Sequence, residues 1–416
     1  MAHHLVIQLA RFGDVIQTKR LILSLAGEVD SVVHLAVDVS LVSIARLVYP
    51  FAAVHGVRAH GSNTSAADVF RENRDVFAAL SSIPFTSVYN LNYSGMAMAM
   101  AGLFDPNTVH GYIRRNGQEL RGNWLRMAFR WMRERTAAPM NLVDLWAHFH
   151  PSPLAPALVN PRATEKNNGR IVVVPAGRES RRSLPPEILA PLVEVVFASC
   201  GGPEIVLVGS AAEQPSARKL TKFLRPMVAQ KVANTCGRTS LADLAEIVSA
   251  SDVVLTPDTG VMHLAAHFGV RVRAFFLSSA WSCETGPYGE GHTVFQATHS
   301  CAPCVETSPC ASGTACLAPF SNPAVARALL GKEPEQWPEG LASLTSGMDA
   351  FGCVYAVLYG TMPETQAREA ARALLAEYAG TPLGLPVAAR TVETVFHESD
   401  WMLPQGEALR PHTRKG

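Results

Sequence analysis

Short apolar runs alternate with longer amphipathic stretches along most of the chain. Runs at 5–9, 31–37, 51–57 and 86–91 have the length and aliphatic content of buried strands, and between them lie helical patterns such as 67–80. The first run leads into ARFGDVIQTKRLILSL, where Gly13 permits a sharp turn and Val15, Leu21, Ile22 and Leu25 fall at helical spacing. After a Pro-rich, polar stretch at 150–168 the alternation starts again, with strands expected at 171–174 and 204–208 and helices over 190–199 and 241–248. The pattern predicts an α/β protein of two doubly wound, Rossmann-like domains facing a central cleft, 1–158 and 170–325, joined by a linker at 159–169. The extension 326–416 has an irregular stretch at 340–360, a helix over 363–378 and a polar, frayed end.

The stretch 251–276, SDVVLTPDTGVMHLAAHFGVRVRAFF, condenses the pattern into strand, turn, helix, strand. Val253, Val254 and Leu255 suit a strand buried on both faces, Asp258 is a residue type that caps helices, and Gly269 fits the C-terminal end of the helix. Such a corner leaves free amides, a Thr259 hydroxyl and the positive end of a helix dipole at the carboxyl edge of a sheet, where a phosphate binds. A plain capped helix gives the same letters.

Composition narrows the classes. The 416 residues are 48% hydrophobic and 17% charged with a formal net charge of +1, which argues for large buried cores and against a general nucleic-acid binder. The first residues have no cationic, apolar leader pattern, and no apolar run is long enough to span a bilayer, so a cytoplasmic protein with at most peripheral contact to the inner membrane is expected. Residues 111–136 hold seven arginines against two glutamates, interleaved with Trp124, Leu125, Met127, Phe129 and Trp131. Taken as one amphipathic helix, this segment would present Arg114, Arg115, Arg121 and Arg126 to an anionic membrane or phosphorylated acceptor. The competing reading is a solvated arginine face above a packed aromatic stripe.

Asp14, in the loop after the first strand, can serve as a general base or can merely cap the helix beside it. In PAGRESRRSLPPE, Arg178, Arg181 and Arg182 lie near Gly177 and Ser180, a grouping suited to a diphosphate. There is no P-loop, no G-x-G-x-x-G and no Asp-x-Asp, so helix termini and arginines are better candidates for holding phosphates than a bridging metal. His263 and His267 stand four apart without the intervening Glu of a zinc helix, which favours hydrogen bonding for His263 over metal ligation. Cys301, Cys304, Cys310 and Cys316 crowd together, but only the first pair has knuckle spacing, so reduced thiols or a loop staple are expected before a metal.

These motifs resemble glycosyltransferase family 9, the ADP-heptose:lipopolysaccharide heptosyltransferases, over most of residues 4–318. RFGDVIQT is similar to the family's loop bearing the catalytic Asp, here Asp14; RRSLPPE resembles its K-x-W-P segment, with Arg182 in place of Lys and Leu184 in place of Trp; TPDTGVMHLAAHFG is similar to D-T-G-x-x-H-x-A-A; and GPYGEGH resembles the loop that follows. The resemblance implies a GT-B fold and inverting transfer of a heptose from ADP-heptose to a hydroxyl of the lipopolysaccharide inner core or another lipid-linked acceptor, with no cofactor. It implies Asp14 as the base and Arg178, Ser180, Arg182, Asp258, Thr259, Gly260 and His263 as donor-binding residues, with a C-terminal helix crossing back to the first domain. A transferase of the same fold with another nucleotide sugar or acceptor, or a non-catalytic nucleotide- or glycan-binding relative, shares these features.

Overall fold

The structure, a computed structural model, describes residues 1–60, 66–132, 134–164, 166–177, 180–305 and 308–385. Its aliphatic runs become the strands of two sheets. The first contains β1 (Ala2–Ile7), β2 (Ser31–Asp38), β3 (Ala53–Val57), β4 (Ser87–Asn90), β5 (Val109–Arg115) and β6 (Gln118–Arg121), in the order β3-β2-β1-β4-β5-β6. All its pairings are parallel except β5–β6. The second contains β7 (Arg170–Val173), β8 (Glu204–Leu207), β9 (Val232–Asn234), β10 (Val253–Pro257), β11 (Arg271–Phe276), β12 (Thr293–Ala297), β13 (Leu341–Met348) and β14 (Cys353–Tyr359). Its order is β14-β13-β12-β11-β10-β7-β8-β9, parallel from β9 to β12 and antiparallel beyond. In each sheet the order reverses beside the first strand, between β1 and β4 and between β7 and β10, which marks the carboxyl ends of those strands as ligand sites. Every residue of β10 is buried, as expected of a strand covered on both faces.

Three sequence expectations are corrected. Residues 111–136 do not form one helix: β5 and β6 make a hairpin, followed by the separate helix Asn123–Met132. Asn116 and Gly117 cause the turn, because both take left-handed backbone angles, φ 51° and 78°. The stretch 340–360 is not irregular, since β13 and β14 extend the second sheet. Asp258 is not the residue that caps the helix after β10; Thr259 holds that position. The polar end at 386–416 lies outside the described residues.

One apolar cluster runs from the first sheet (Val6, Leu35) through Met140 and Trp146 to the second (Val172, Val254), so the two halves share a core at their seam. Within it sits a fully buried polar knot. Arg20 Nη1 donates to Asp144 Oδ1 at 2.7 Å and to the Phe351 carbonyl at 2.9 Å, while Arg20 Nε reaches the Leu154 carbonyl at 2.8 Å. Asp144 also accepts the Tyr288 hydroxyl at 2.6 Å and the Cys353 amide at 2.9 Å. A Cβ at Gly352 would come 2.1 Å from Asp144 Oδ2, so only glycine lets the β13–β14 turn approach this carboxylate.

The segment after β14 returns to the first half. In the helix Thr365–Tyr378, Arg368 donates to the Thr136 carbonyl and Arg372 to the Pro139 carbonyl, each at 3.0 Å, and Tyr378 stacks on Trp124. Arg372 also grips Asp349 through Nε and Nη2 at 3.0 and 2.6 Å and lies over the Phe351 ring. No helix among the described residues is long and apolar enough to cross a membrane.

Arg20 and Asp144 are 1% and 0% exposed, so removing one partner strands a buried charge. Arg20→Met is expected to lower unfolding free energy by about 3–5 kcal/mol in urea denaturation. A loss under about 1 kcal/mol, the scale of a surface pair, would show that the knot does not hold the two halves together.

Candidate active site at the seam

Two helix starts meet where the sheets face each other. After β1, the helix Phe12–Gln17 carries Asp14 in its first turn, and the Arg11 amide donates to Asp14 Oδ2 at 3.0 Å. Asp14 therefore does cap its helix, using one of two carboxylate oxygens. After β10, the helix Gly260–His267 begins at Thr259, whose extended backbone (φ −144°, ψ 165°) turns the following amides outward, and whose hydroxyl pairs with that of Thr256 at 2.9 Å. The two helices touch through glycine. A Cβ at Gly13 would lie 3.0 Å from the His263 ring and 3.3 Å from the Gly260 Cα, and one at Gly260 would lie 2.1 Å from the Phe12 ring. Side chains at either position would separate the Asp14 loop from the amides of the second helix.

The charges at this corner are mostly buried. Burial raises the pKa of Asp14 above the ordinary carboxylate range, with the Arg11 amide and His263 pulling against it. Burial also pushes His263 down to about 4, so its imidazole is neutral at neutral pH. Asp258 pairs with Arg182, accepts the Thr285 hydroxyl at 3.1 Å, and lies 4.0 Å from His263 Nε2. Burial raises its pKa too, against the pull of Arg182. Arg182, placed by the sequence on a phosphate, thus shares its charge with a neighbouring acid.

On the other side of Thr259 the corner opens into a cleft of about 460 Å³ at the carboxyl ends of β7 and β8. Gly177 joins the two: its amide donates to Ser183 Oγ at 2.6 Å, and a Cβ there would sit 3.6 Å from the Thr259 methyl. Gly177, Arg181 and Ser183 line the cleft together with Cys301, Cys304, Cys310 and Cys316. Among the described residues every cysteine is free, and no group of three His, Cys, Asp or Glu side chains is arranged to hold a metal ion.

The structure therefore brings together Asp14, Thr259, Gly260 and His263, with Arg182 and Asp258 beside them. Arg178 lies outside the described residues, as does the side chain of Ser180, which opens the short turn Ser180–Arg182. The four arginines of the 111–136 segment are elsewhere, on the hairpin and the helix after it. Arg114 is 3.8 Å from Glu119, Arg121 sits 5.6–5.7 Å from the ring centres of Tyr93, Tyr112 and Phe129, and Arg115 and Arg126 are exposed.

Sequence reasoning missed two groups at the seam. Glu284 accepts Arg135 Nε through both oxygens at 3.0 Å and Nη2 at 2.5 Å, and Arg135 also reaches the Ser279 carbonyl at 2.8 Å. Lys19 donates to Asn160 Oδ1 at 2.8 Å and to His267 Nδ1 at 3.0 Å, and burial lowers its pKa to about 8. His267, brought down by burial to about 4, is the neutral acceptor of that bond.

Two Rossmann-type sheets that meet at a polar corner, with a cleft at the carboxyl ends of β7 and β8, have a GT-B-like architecture, and the family match that follows makes the class a glycosyltransferase one, of the EC 2.4 kind. Residues 161–313 match glycosyltransferase family 9 (heptosyltransferase), so the chain carries a domain of that family. Among solved structures it is similar to ADP-heptose LPS heptosyltransferase II of E. coli, at 17% identity over 71% of this chain and 90% of that one, with a TM-score of 0.52. A glycosyl transferase family 9 protein from Veillonella parvula is similar at 14% identity, over 70% of this chain and 85% of that one, again with a TM-score of 0.52. At these identities the likeness is one of fold. No curated protein matches the chain.

Two substitutions probe the corner. Gly260→Ala drives a methyl into the Phe12 ring and is expected to cost about 1–3 kcal/mol and most of the activity; Phe12→Ala in the same chain should restore part of both, and no recovery would mean that the clash lies elsewhere. Arg182→Ala leaves the Asp258 carboxylate buried without its partner, with an expected loss of about 3 kcal/mol. Adding Asp258→Asn should return most of that stability in thermal or urea unfolding, and additive losses would break the proposed pairing.

Proposed function

We propose that the protein moves a heptose from an ADP-sugar to a hydroxyl of the lipopolysaccharide inner core, with inversion, and that Asp14 is the base. The observation that carries this reading is a half-buried carboxylate of raised pKa lying against the open first turn of the helix Gly260–His267. Asp14 takes the proton of the acceptor hydroxyl as its oxygen attacks the anomeric carbon from the face opposite the diphosphate. The bond from that carbon to the phosphate oxygen breaks, and its electron pair leaves with the diphosphate. Negative charge growing there is met by the Gly260 amide, the dipole of its helix and the Arg182 guanidinium, with Arg178 and Ser180 completing the donor site.

The nucleoside occupies the cleft beyond Gly177. Thr259 and neutral His263 hydrogen-bond the sugar or phosphates, and Asp258 keeps Arg182 in position. The similarity to an ADP-heptose LPS heptosyltransferase supports this choice of donor and acceptor. On the first half, exposed Arg115 and Arg126, with Arg114 and Arg121 beside them, offer cationic surface for a phosphorylated core and the inner face of the cytoplasmic membrane.

Asp14→Asn keeps an oxygen for the Arg11 amide and removes the base, so transfer is expected to fall about 10³-fold, while ADP still raises the melting temperature and UDP and GDP do so less. Because the folded pKa of Asp14 lies above the unfolded one, protonated Asp14 stabilises the fold at low pH and that contribution is lost as pH rises through the folded value. At neutral pH the ionised group costs stability, so Asp14→Asn should melt no lower than the wild type. The acid limb of kcat/KM should lie above the ordinary carboxylate range. Normal turnover in Asp14→Asn would remove Asp14 from the reaction, and preference for UDP or GDP would name a different donor.

A further inference from the structure

Four cysteines on the wall of one cleft are not needed for the transfer just described. Cys301 is exposed, Cys304 and Cys310 are half-buried, and Cys316 is buried. The Cys301 sulfur has a nitrogen of His299 at 3.2 Å and receives the Ser312 hydroxyl at 3.6 Å. An imidazole and a hydroxyl thus flank an accessible sulfur at the mouth of the cleft, and a thiol so placed is reached by disulfides from solution. Cys304, three residues on, lines the same cleft, its thiol interacts with that of Cys301, and its backbone is fixed by a 2.8 Å hydrogen bond from the Cys304 amide to the Ser278 carbonyl, just beyond β11. Cys310 receives the Thr314 amide at 3.2 Å and is a second stabilised sulfur. Cys310 lies nine residues from Cys301 along the chain, whereas Cys304 lies three away, which favours Cys304 as the partner.

We propose that Cys301 and Cys304 form a reversible thiol–disulfide exchange site in the wall of the nucleotide cleft, with a small-molecule disulfide of the glutathione type as oxidant. Cys301 thiolate attacks one sulfur of the small disulfide, forming a mixed disulfide and releasing one small thiolate. Cys304 thiolate then attacks the Cys301 sulfur and displaces the second. Two protein thiols are oxidised to one disulfide, one small disulfide is reduced to two thiols, and the two protons from the cysteines end on the released thiols. Both the adduct and the closed pair alter the lining that these cysteines share with Gly177, Arg181 and Ser183, so oxidation lowers affinity for the nucleotide. That last step rests on the reading of the cleft as the donor site; the exchange chemistry does not.

The test incubates the full-length protein with oxidised glutathione and follows intact mass, peptide maps, bound metal and ADP affinity. The wild type should give a Cys301–Cys304 disulfide, reversed by reduced glutathione. Cys304→Ser should accumulate glutathione on Cys301, Cys301→Ser should not form the pair, and Cys310→Ser should behave as the wild type. ADP affinity should fall about tenfold on oxidation, equivalent to about 1.4 kcal/mol. A disulfide at other positions, no reaction, or purified protein whose four thiols hold stoichiometric metal overturns the exchange site. Formation of the disulfide with unchanged ADP affinity overturns its coupling to the cleft. Absence of ADP binding in both states overturns the donor-site reading and with it that coupling, while the masses still decide the exchange.

Discussion

The buried carboxylate of Asp144 is the constraint around which the two halves are arranged. It collects the guanidinium of Arg20 from the first half, the hydroxyl of Tyr288 from the loop after β11, and the amide of Cys353 at the start of β14. Burial raises its pKa, and Arg20 and those donors oppose the shift. An ion in such surroundings is tolerated only when its lone pairs are filled from directions the fold must supply. Each donor comes from a different part of the chain, so satisfying one carboxylate fixes the position of the first helical segment against the second sheet and its terminal hairpin.

That arrangement positions the chemistry. Arg20 is six residues beyond Asp14 in the sequence, and the chain between them is helical, so anchoring Arg20 sets the height of Asp14 against the second half. Gly260 then allows a close approach that a side chain there would block, Gly13 keeps the facing loop tight against His263, and Phe12 fills the space left by the missing Cβ at 260. The outcome is a partly desolvated carboxylate next to helix amides that point away from their own helix. Burial works on these groups in the same sense: it makes Asp14 a stronger base than an exposed aspartate, keeps His263 neutral, and strengthens whatever field the helix start exerts.

Much of this was legible in the sequence because it depends on local pattern. Alternating apolar runs and helices give two parallel sheets, and the 251–276 stretch gives a helix start at a strand end. The N-cap differed by one residue, because Asp258 and Thr259 are both capping types and only the backbone angles at Thr259 choose between them. The Asn116-Gly117 turn was present in the letters but masked by arginines and aromatics at helix-like spacing. β13 carries Ser, Thr and Gly among its apolar residues, and its strand character comes from pairing with β12 and with β14, whose run CVYAVLY is itself strand-prone. Lys19 with Asn160 and His267, and Arg135 with Glu284, have no local signature, since each joins positions more than a hundred residues apart. The crowding of the cysteines was visible, but not that all four face one cleft.

The chain crosses between the halves twice. It leaves the first through the segment that includes Asn160, pinned by Lys19 and by the Thr164–Val270 bridge, and it returns after β14 in the helix held by Arg368 and Arg372. A body tethered at two separated points keeps one easy motion, rotation about the line through them, and resists sliding or twisting out of register. Any movement of one half on the other is therefore reduced to rotation about a single axis, like a door on two hinges. Its amplitude at any point grows with distance from that axis, so equal rotations displace groups near the tethers least and those far from them most.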